Sequence, residues 1–192
     1  PSFGFSKSSF WAKFRIKNTT KNQKIWILSQ NNFVQDYVTL FKKVGKDWRH
    51  SSTGDFTPFK SREVEDKTFS FKIKPKSDSL YFLRIKGSTN QIRLSLSTPL
   101  KFAQNRTRDN LISGLFFGLV ISMVLYNFFI FFSTKNISYL YYVLYVLFYG
   151  MVLFIIQGFS QRFLAPESTW ISNYGLLFFA GLSGFWLCFF TS

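Results

Sequence analysis

Residues 111–132 read LISGLFFGLVISMVLYNFFIFF, a run without one charged side chain. An α-helix rises about 1.5 Å per residue, so about 20 such residues cross the hydrocarbon core of a bilayer. Working outward, the uncharged stretch extends over Asn110–Thr134, and two more follow, Asn136–Gln161 and Ser168–Ser192, of 25, 26 and 25 residues. Their densest parts are Leu111–Phe132, Tyr139–Ile156 and Trp170–Phe190. Three such runs in succession leave no polar face for water, which argues against a buried helical hairpin of a soluble protein. A signal peptide does not fit either, because the first run begins after about a hundred residues and no small-residue cleavage site follows it. All three qualify as transmembrane helices.

The flanks agree. Tyr139, Tyr141 and Tyr142 open the second span, and Trp170 and Tyr174 open the third. Amphipathic rings favour the headgroup level, so these are expected interface anchors. Ser133–Ser138 and Gly158–Thr169 are the two short connections, and Pro166 punctuates the second. Gly114 and Gly118 form a small-xxx-small step, the spacing that lets a neighbouring helix approach closely, although glycine is common in membrane helices generally.

The chain has 192 residues, with 24 Lys+Arg and 9 Asp+Glu, for a net charge of +15. Residues 1–108 hold 22 of the basic and 7 of the acidic side chains, which is the whole excess. A hydrophobic content of 47% and an aromatic content of 21% exclude a disordered chain. One cysteine, Cys188, excludes a disulfide scaffold, and with one histidine, His50, it cannot fill a Cys/His zinc site. No metal or other cofactor is expected. The sequence opens on Pro1 without an initiator Met and stops in an apolar run, so a piece of a longer chain is expected.

Residues 1–108 alternate with period two, as strands with one buried and one wetted face do. Phe10, Ala12, Phe14 and Ile16 point one way, and Trp11, Lys13, Arg15 and Lys17 the other. Phe69, Phe71 and Ile73 form a second face, Tyr81, Leu83 and Ile85 a third, and Ile92, Leu94 and Leu96 a fourth. Ile25–Leu28 and Tyr37–Phe41 are shorter runs. Turn clusters at Asn18–Asn22, Val44–Lys46, Ser51–Asp55, Pro75–Asp78 and Gly87–Asn90 separate them. Seven or eight short strands in about 100 residues predict an antiparallel β-sandwich. The expected organisation is a sandwich over 1–100, a linker over 101–110 and three membrane helices over 111–192.

The order of these features resembles the bacterial seven-transmembrane receptors with diverse intracellular signalling modules. It runs from the β-domain to Gly114-Leu-Phe-Phe-Gly118, Met123-Val-Leu-Tyr-Asn127, Ser138-Tyr-Leu-Tyr-Tyr142 and Gly158. Phe10-Trp11, Phe14, Asn18, Gly54, Arg62, Phe69 and Leu83-Arg84 resemble residues of that family's second type of extracellular domain. The resemblance implies a jelly-roll-like sandwich outside the bacterial cytoplasmic membrane that binds carbohydrate or another small ligand. It also implies that residues 111–190 are about the first three of seven helices. A cytoplasmic output module in the same chain, such as a histidine kinase, cyclase or phosphatase, would follow. The heavy lysine content is no part of that pattern.

Catalysis finds little support in the residues. Glu63, Glu65 and Asp66 cluster in an expected surface loop, and His50 has no evident nucleophile beside it. Binding is better supported. Trp11 shares its face with Lys13, Arg15 and Lys17, so it is expected to be exposed and able to stack on a sugar ring. Trp26 and Trp48 are candidates too, with core or sheet-edge packing as the plain alternative. Arg62 and Arg84 match the family's arginines, and a guanidinium fork holds a carboxylate bidentately. The plain alternative for Arg84 is an ion pair or a surface side chain. The ligand-binding candidates are therefore Trp11, Arg62 and Arg84. The basic residues spread over nearly every strand, which argues against nucleic acid and suits an anionic surface or acidic polysaccharide. A lysine-rich compositional bias accounts for them equally. The rival reading is a membrane-anchored scaffold whose β-domain docks a protein partner or anionic lipid. The basic residues before the first span, Arg93, Lys101, Arg106 and Arg108, would place that end in the cytoplasm under the positive-inside rule, but long N-terminal domains escape the rule.

Overall fold

The computed structural model describes residues 2–5, 8–20, 25–32, 35–44, 46–75, 79–87, 89–164, 166–167 and 169–191. It forms two compact units, Pro1–Ala103 with Gly158–Thr169, and Gln104–Gln157 with Trp170–Ser192.

Among the described residues the first unit has nine strands: β1 Ser2–Phe5, β2 Ser9–Ile16, β3 Trp26–Gln30, β4 Tyr37–Val44, β5 Asp47–Thr53, β6 Phe69–Ile73, β7 Ser79–Lys86, β8 Thr89–Gln91 and β9 Leu94–Ser97. They pair antiparallel as a four-stranded sheet, β2-β7-β4-β5, a three-stranded sheet, β6-β3-β9, and a β1-β8 ribbon. The two main sheets make the β-sandwich that the alternation predicts. Leu28, Val38, Leu40, Phe69, Phe71, Ile73, Tyr81, Leu83 and Ile85 are its buried core, and Ala12, Phe14, Ile16, Trp26 and Ile92 pack against it. Trp26 is thus a core-edge residue. In β2 the face of Ala12, Phe14 and Ile16 turns inward, and Trp11, Lys13 and Arg15 stay exposed.

Strand β3 is buried along both faces from Ile27 to Gln30. Its polar side chains are satisfied in place: the Ser29 and Ser70 hydroxyls meet at 2.9 Å, and Gln30 Oε1 accepts the Arg93 N–H at 2.9 Å. Asn18 begins its expected turn by accepting the Thr20 N–H and hydroxyl on its side chain, at 3.1 and 2.7 Å.

Three sequence expectations are corrected. Ser51–Thr53, expected in a turn, ends β5, a strand of polar composition with no alternating apolar set. Thr89 and Asn90, also expected in a turn, belong to β8. Residues 101–110, expected as a linker, are α-helical and continuous with the first span. Residues 21, 22, 45, 76–78 and 88 of the expected turns lie outside the described residues.

In the second unit, α1 runs Pro99–Thr134 and α2 runs Ile137–Ile156. Both are long and apolar enough to cross a membrane. At 36 residues α1 is about 54 Å long, well over a bilayer core, so its charged first turns extend past the apolar span. It ends at Lys135, whose φ of 53° breaks the helix, and Asn136 caps α2 by accepting the Ser138 N–H at 3.0 Å. The short helix α3, Ser160–Phe163, belongs to the first unit. The third expected span is wound as a π-helical stretch, Ile171–Gly175, running into α4, Leu176–Thr191. Alone, α4 has 16 residues, fewer than the about 20 that a span needs, so among the described residues only α1 and α2 meet the length of a span. The Ser113 hydroxyl donates to Gln157 Oε1 at 2.8 Å at the end of α2, and Tyr141, Tyr142 and Phe148 of α2 meet Trp186, Phe190 and Phe179 of α4. A Cβ on Gly114 or Gly118 would meet nothing within 4 Å.

Candidate functional site

The outward face of the four-stranded sheet is set by register. One cross-strand row reads Trp11, Arg84, Thr39, Ser52, and the next reads Lys13, Phe82, Phe41, His50. Ser9, Lys86 and Tyr37 form the row on the other side of the first. Period-two alternation puts all of these on the surface opposite Leu83, Leu40 and Val38. The result is an aromatic and basic face.

Its rings are half-exposed. Trp11 is 57% exposed and lies 5.4 Å from the Phe41 ring centroid, and Trp48 is 45% exposed and edge-on to Phe82 at 5.3 Å. The Arg84 guanidinium carbon stands 6.0 Å from the Trp11 ring, and Arg84 Nε and Nη2 reach Ser9 Oγ at 3.3 and 3.2 Å. Beside it is a depression of about 420 Å³ lined by Tyr37, Thr39, Ser52, Arg84 and Lys86. The Thr39 and Ser52 hydroxyls of its wall share a hydrogen bond of 2.9 Å. Across the sheet, Arg84 faces only Trp11 and Thr39, so no carboxylate neutralises it along its own row. Asp36 lies near Lys86; burial raises the Asp36 carboxyl and Lys86 pulls it back. Two cations, two hydroxyls and flat ring faces around one depression suit a small anionic ligand with an apolar face.

Arg62 is placed elsewhere. It is 6% exposed and its guanidinium lies between the Phe59 and Phe69 rings, at 4.9 and 5.1 Å. Nη1 donates to Asp66 O at 2.9 Å, and Nη2 donates to Gly54 O at 3.4 Å and to Gln161 Oε1. Only Nε lacks an acceptor. A fork so occupied has no donor pair left for a ligand carboxylate. Burial lowers its affinity for its proton, while Asp55 and Asp66 hold that proton on. Burial pushes the Asp55 carboxyl up to about 7, against the pull of Arg62 and the Gln35 N–H.

Of the three expected ligand residues, the structure thus brings together Trp11 and Arg84 and leaves Arg62 apart. Tyr37, Thr39, Ser52 and Lys86 are the wall residues that sequence reading missed. The alternation of Tyr37, Thr39 and Phe41 against Val38 and Leu40 was a usable signal for the first two. Among the described residues no group of three His, Cys, Asp or Glu side chains converges as a metal site would.

Comparison with known proteins agrees with this two-part plan. Residues 1–98 match the model of the 7TMR-DISM extracellular 2 domain, and residues 109–192 match that of the 7TM diverse intracellular signalling domain. No curated protein and no solved structure matches the chain. Both matched domains are of sensor and receptor type. Together they cover nearly the whole sequence in the order that the fold requires, and the chain belongs to the 7TMR-DISM family of transmembrane signalling receptors.

Proposed function

We propose that this chain is the ligand-sensing and first membrane part of a bacterial cytoplasmic-membrane receptor. The extracytoplasmic sandwich binds a small anionic ligand, a sugar acid being the class that suits it, on the outer face of its four-stranded sheet. The single observation that carries this reading is the depression walled by Arg84, Lys86, Thr39, Ser52 and Tyr37 beside the exposed Trp11. The carboxylate sits against Arg84 and Lys86, and hydroxyls exchange hydrogen bonds with Thr39 and Ser52. The sugar's apolar face lies on Trp11 or Tyr37. Residues 1–100 are the sensor, and the helices from residue 111 begin a seven-helix region whose output module, and any catalysis, lies later in the same chain. Gly114 and Gly118 present a smooth face of α1 to a later helix.

The test is calorimetric titration of the full chain in lipid nanodiscs with D-glucuronate, and with D-glucose as its uncharged counterpart. The reading expects glucuronate to bind at least about tenfold tighter, an advantage of about 1.4 kcal/mol from a charge-assisted contact, and Arg84→Ala to abolish that preference. Equal binding of the two sugars, or a preference that survives Arg84→Ala, would overturn the anionic class. Salt-sensitive binding to anionic vesicles with no sugar response would favour the scaffold reading instead.

A further inference from the structure

Gly158–Thr169 joins α2 to the helix that begins at Ile171, yet it packs within the first compact unit. Phe159, Ser160 and Gln161 are 6%, 2% and 5% exposed, a degree of burial unusual for a short polar connection. The Phe59 N–H donates to Pro166 O at 2.9 Å, Lys67 Nζ lies 4.5 Å from the Phe159 ring, and Lys60 pairs with Glu167 at 2.6 Å. At the centre, Gln161 is held at both ends of its amide. Its Nε2 donates to Asp55 O at 2.8 Å, and its Oε1 accepts from Arg62.

The same few residues lead back to the ligand depression. Ser52 of its wall is two positions before Gly54, whose carbonyl accepts from Arg62 and from the Thr57 hydroxyl at 2.8 Å. Asp55 and Gln35 exchange two hydrogen bonds, at 2.8 and 3.0 Å. The Phe56 N–H donates to Asp36 O at 3.3 Å, and its ring stacks on Tyr37, another wall residue, at 5.7 Å. Gly54 has a φ of 149°, and a Cβ there would lie 2.1 Å from Asp36 O. The turn therefore packs backbone to backbone against the β4 entry, next to the wall residue Tyr37.

From this geometry we infer that the Gly54–Phe56 turn and Arg62 couple the ligand depression to the connection between the second and third helices, with Gln161 as the clamp. The inference rests on the ligand-site reading for its physiological trigger. Arg62 is then a positioning residue that transmits occupancy and does not touch ligand. A signal leaving by this route reaches both helices at once, because the clamped segment is covalently continuous with each. Contiguity alone is not coupling, so the claim requires that filling the depression shift the state of the clamp.

The test fills the depression without needing the natural ligand. The full chain carrying Cys188→Ser and Ser52→Cys, in nanodiscs, is modified with 2-sulfonatoethyl methanethiosulfonate, which leaves a small anion on the wall. Amide exchange is then followed over residues 158–169, where the Phe163 and Leu164 N–H groups donate to Phe159 O and Ser160 O at 3.0 and 2.9 Å. Coupling predicts an exchange rate changed by at least about threefold on modification, and loss of that response when Gln161→Ala is added. An adduct that alters exchange over residues 52–57 and leaves 158–169 unchanged overturns the inference. So does a response that persists in Gln161→Ala. Glucuronate titration of the unmodified chain reports separately on the ligand: failure to bind there, with a clamp that still answers the adduct, removes the sugar acid and keeps the coupling.

Discussion

Replacing Arg62 by methionine keeps most of the side-chain volume and removes the charge and its donors. Asp66 O, Gly54 O and Gln161 Oε1 each lose the Arg62 hydrogen bond, although Gly54 O keeps the Thr57 hydroxyl at 2.8 Å. The 3.4 Å contact to Gly54 is weak, so two strong hydrogen bonds are at stake, each worth about 1.5–3 kcal/mol with a charged donor. Two ring contacts add about 0.5–2 kcal/mol apiece. These terms are not additive, and deleting one partner of a buried charged cluster costs about 3–5 kcal/mol in total. That corresponds to roughly a 150- to 5,000-fold loss of amide protection in strands that exchange only by global opening of the sandwich. The assay is native-state hydrogen exchange of the full chain in nanodiscs, read on β6 and β7, which carry Phe69, Phe71, Leu83 and Ile85 of the core. Arg62→Lys keeps the charge without the planar fork and should recover part of the loss. A loss under about tenfold for Arg62→Met would refute the reasoning, because it would mean that the guanidinium is not held by these partners in the folded state.

Three further outcomes follow from the same geometry. Asp55 has a folded-state pKa raised from 3.8 to about 7, so the folded state binds the extra proton, and the sandwich should lose stability as pH rises from about 4 to about 7 and level off above. Urea titrations at pH 5 and pH 7.5 check this, with a slope of at most about 1.4 kcal/mol per pH unit, and Asp55→Asn should flatten the profile. Gly54→Ala places a Cβ 2.1 Å from Asp36 O at a φ that other residues rarely adopt, and should cost at least about 2 kcal/mol or prevent folding, read by the same exchange experiment. Lys60→Ala should leave the melting temperature unchanged, because the Lys60–Glu167 pair is largely exposed to solvent and screened.

Much of the architecture was legible because burial imposes a period. The alternation of Phe10–Lys17 and of Tyr81–Ile85 named the buried faces of β2 and β7 and put Trp11 and Arg84 on the outer one. The long apolar runs named α1 and α2 through the absence of charge. β5 was not legible, because Asp47–Thr53 is an edge strand exposed along most of its length, and an edge strand needs no apolar set. With it went Ser52, the one lining residue of the depression that β5 supplies. Arg62 had the right residue type for a ligand fork, but its fate turned on Gln161, 99 positions away. No local pattern encodes a contact of that range. The linker at 101–110 was misread because its charges signal solvent, and a helix can leave a bilayer without ending.

The central claim is that the aromatic and basic face of the sandwich meets the outside, where a ligand arrives. The most direct measurement is topology. In the Cys188→Ser background, His50→Cys places a single thiol on exposed β5, and a membrane-impermeant maleimide is applied to intact spheroplasts and to lysed ones. The account predicts equal labelling in both. Labelling only after lysis would put the sandwich in the cytoplasm and contradict the receptor reading outright.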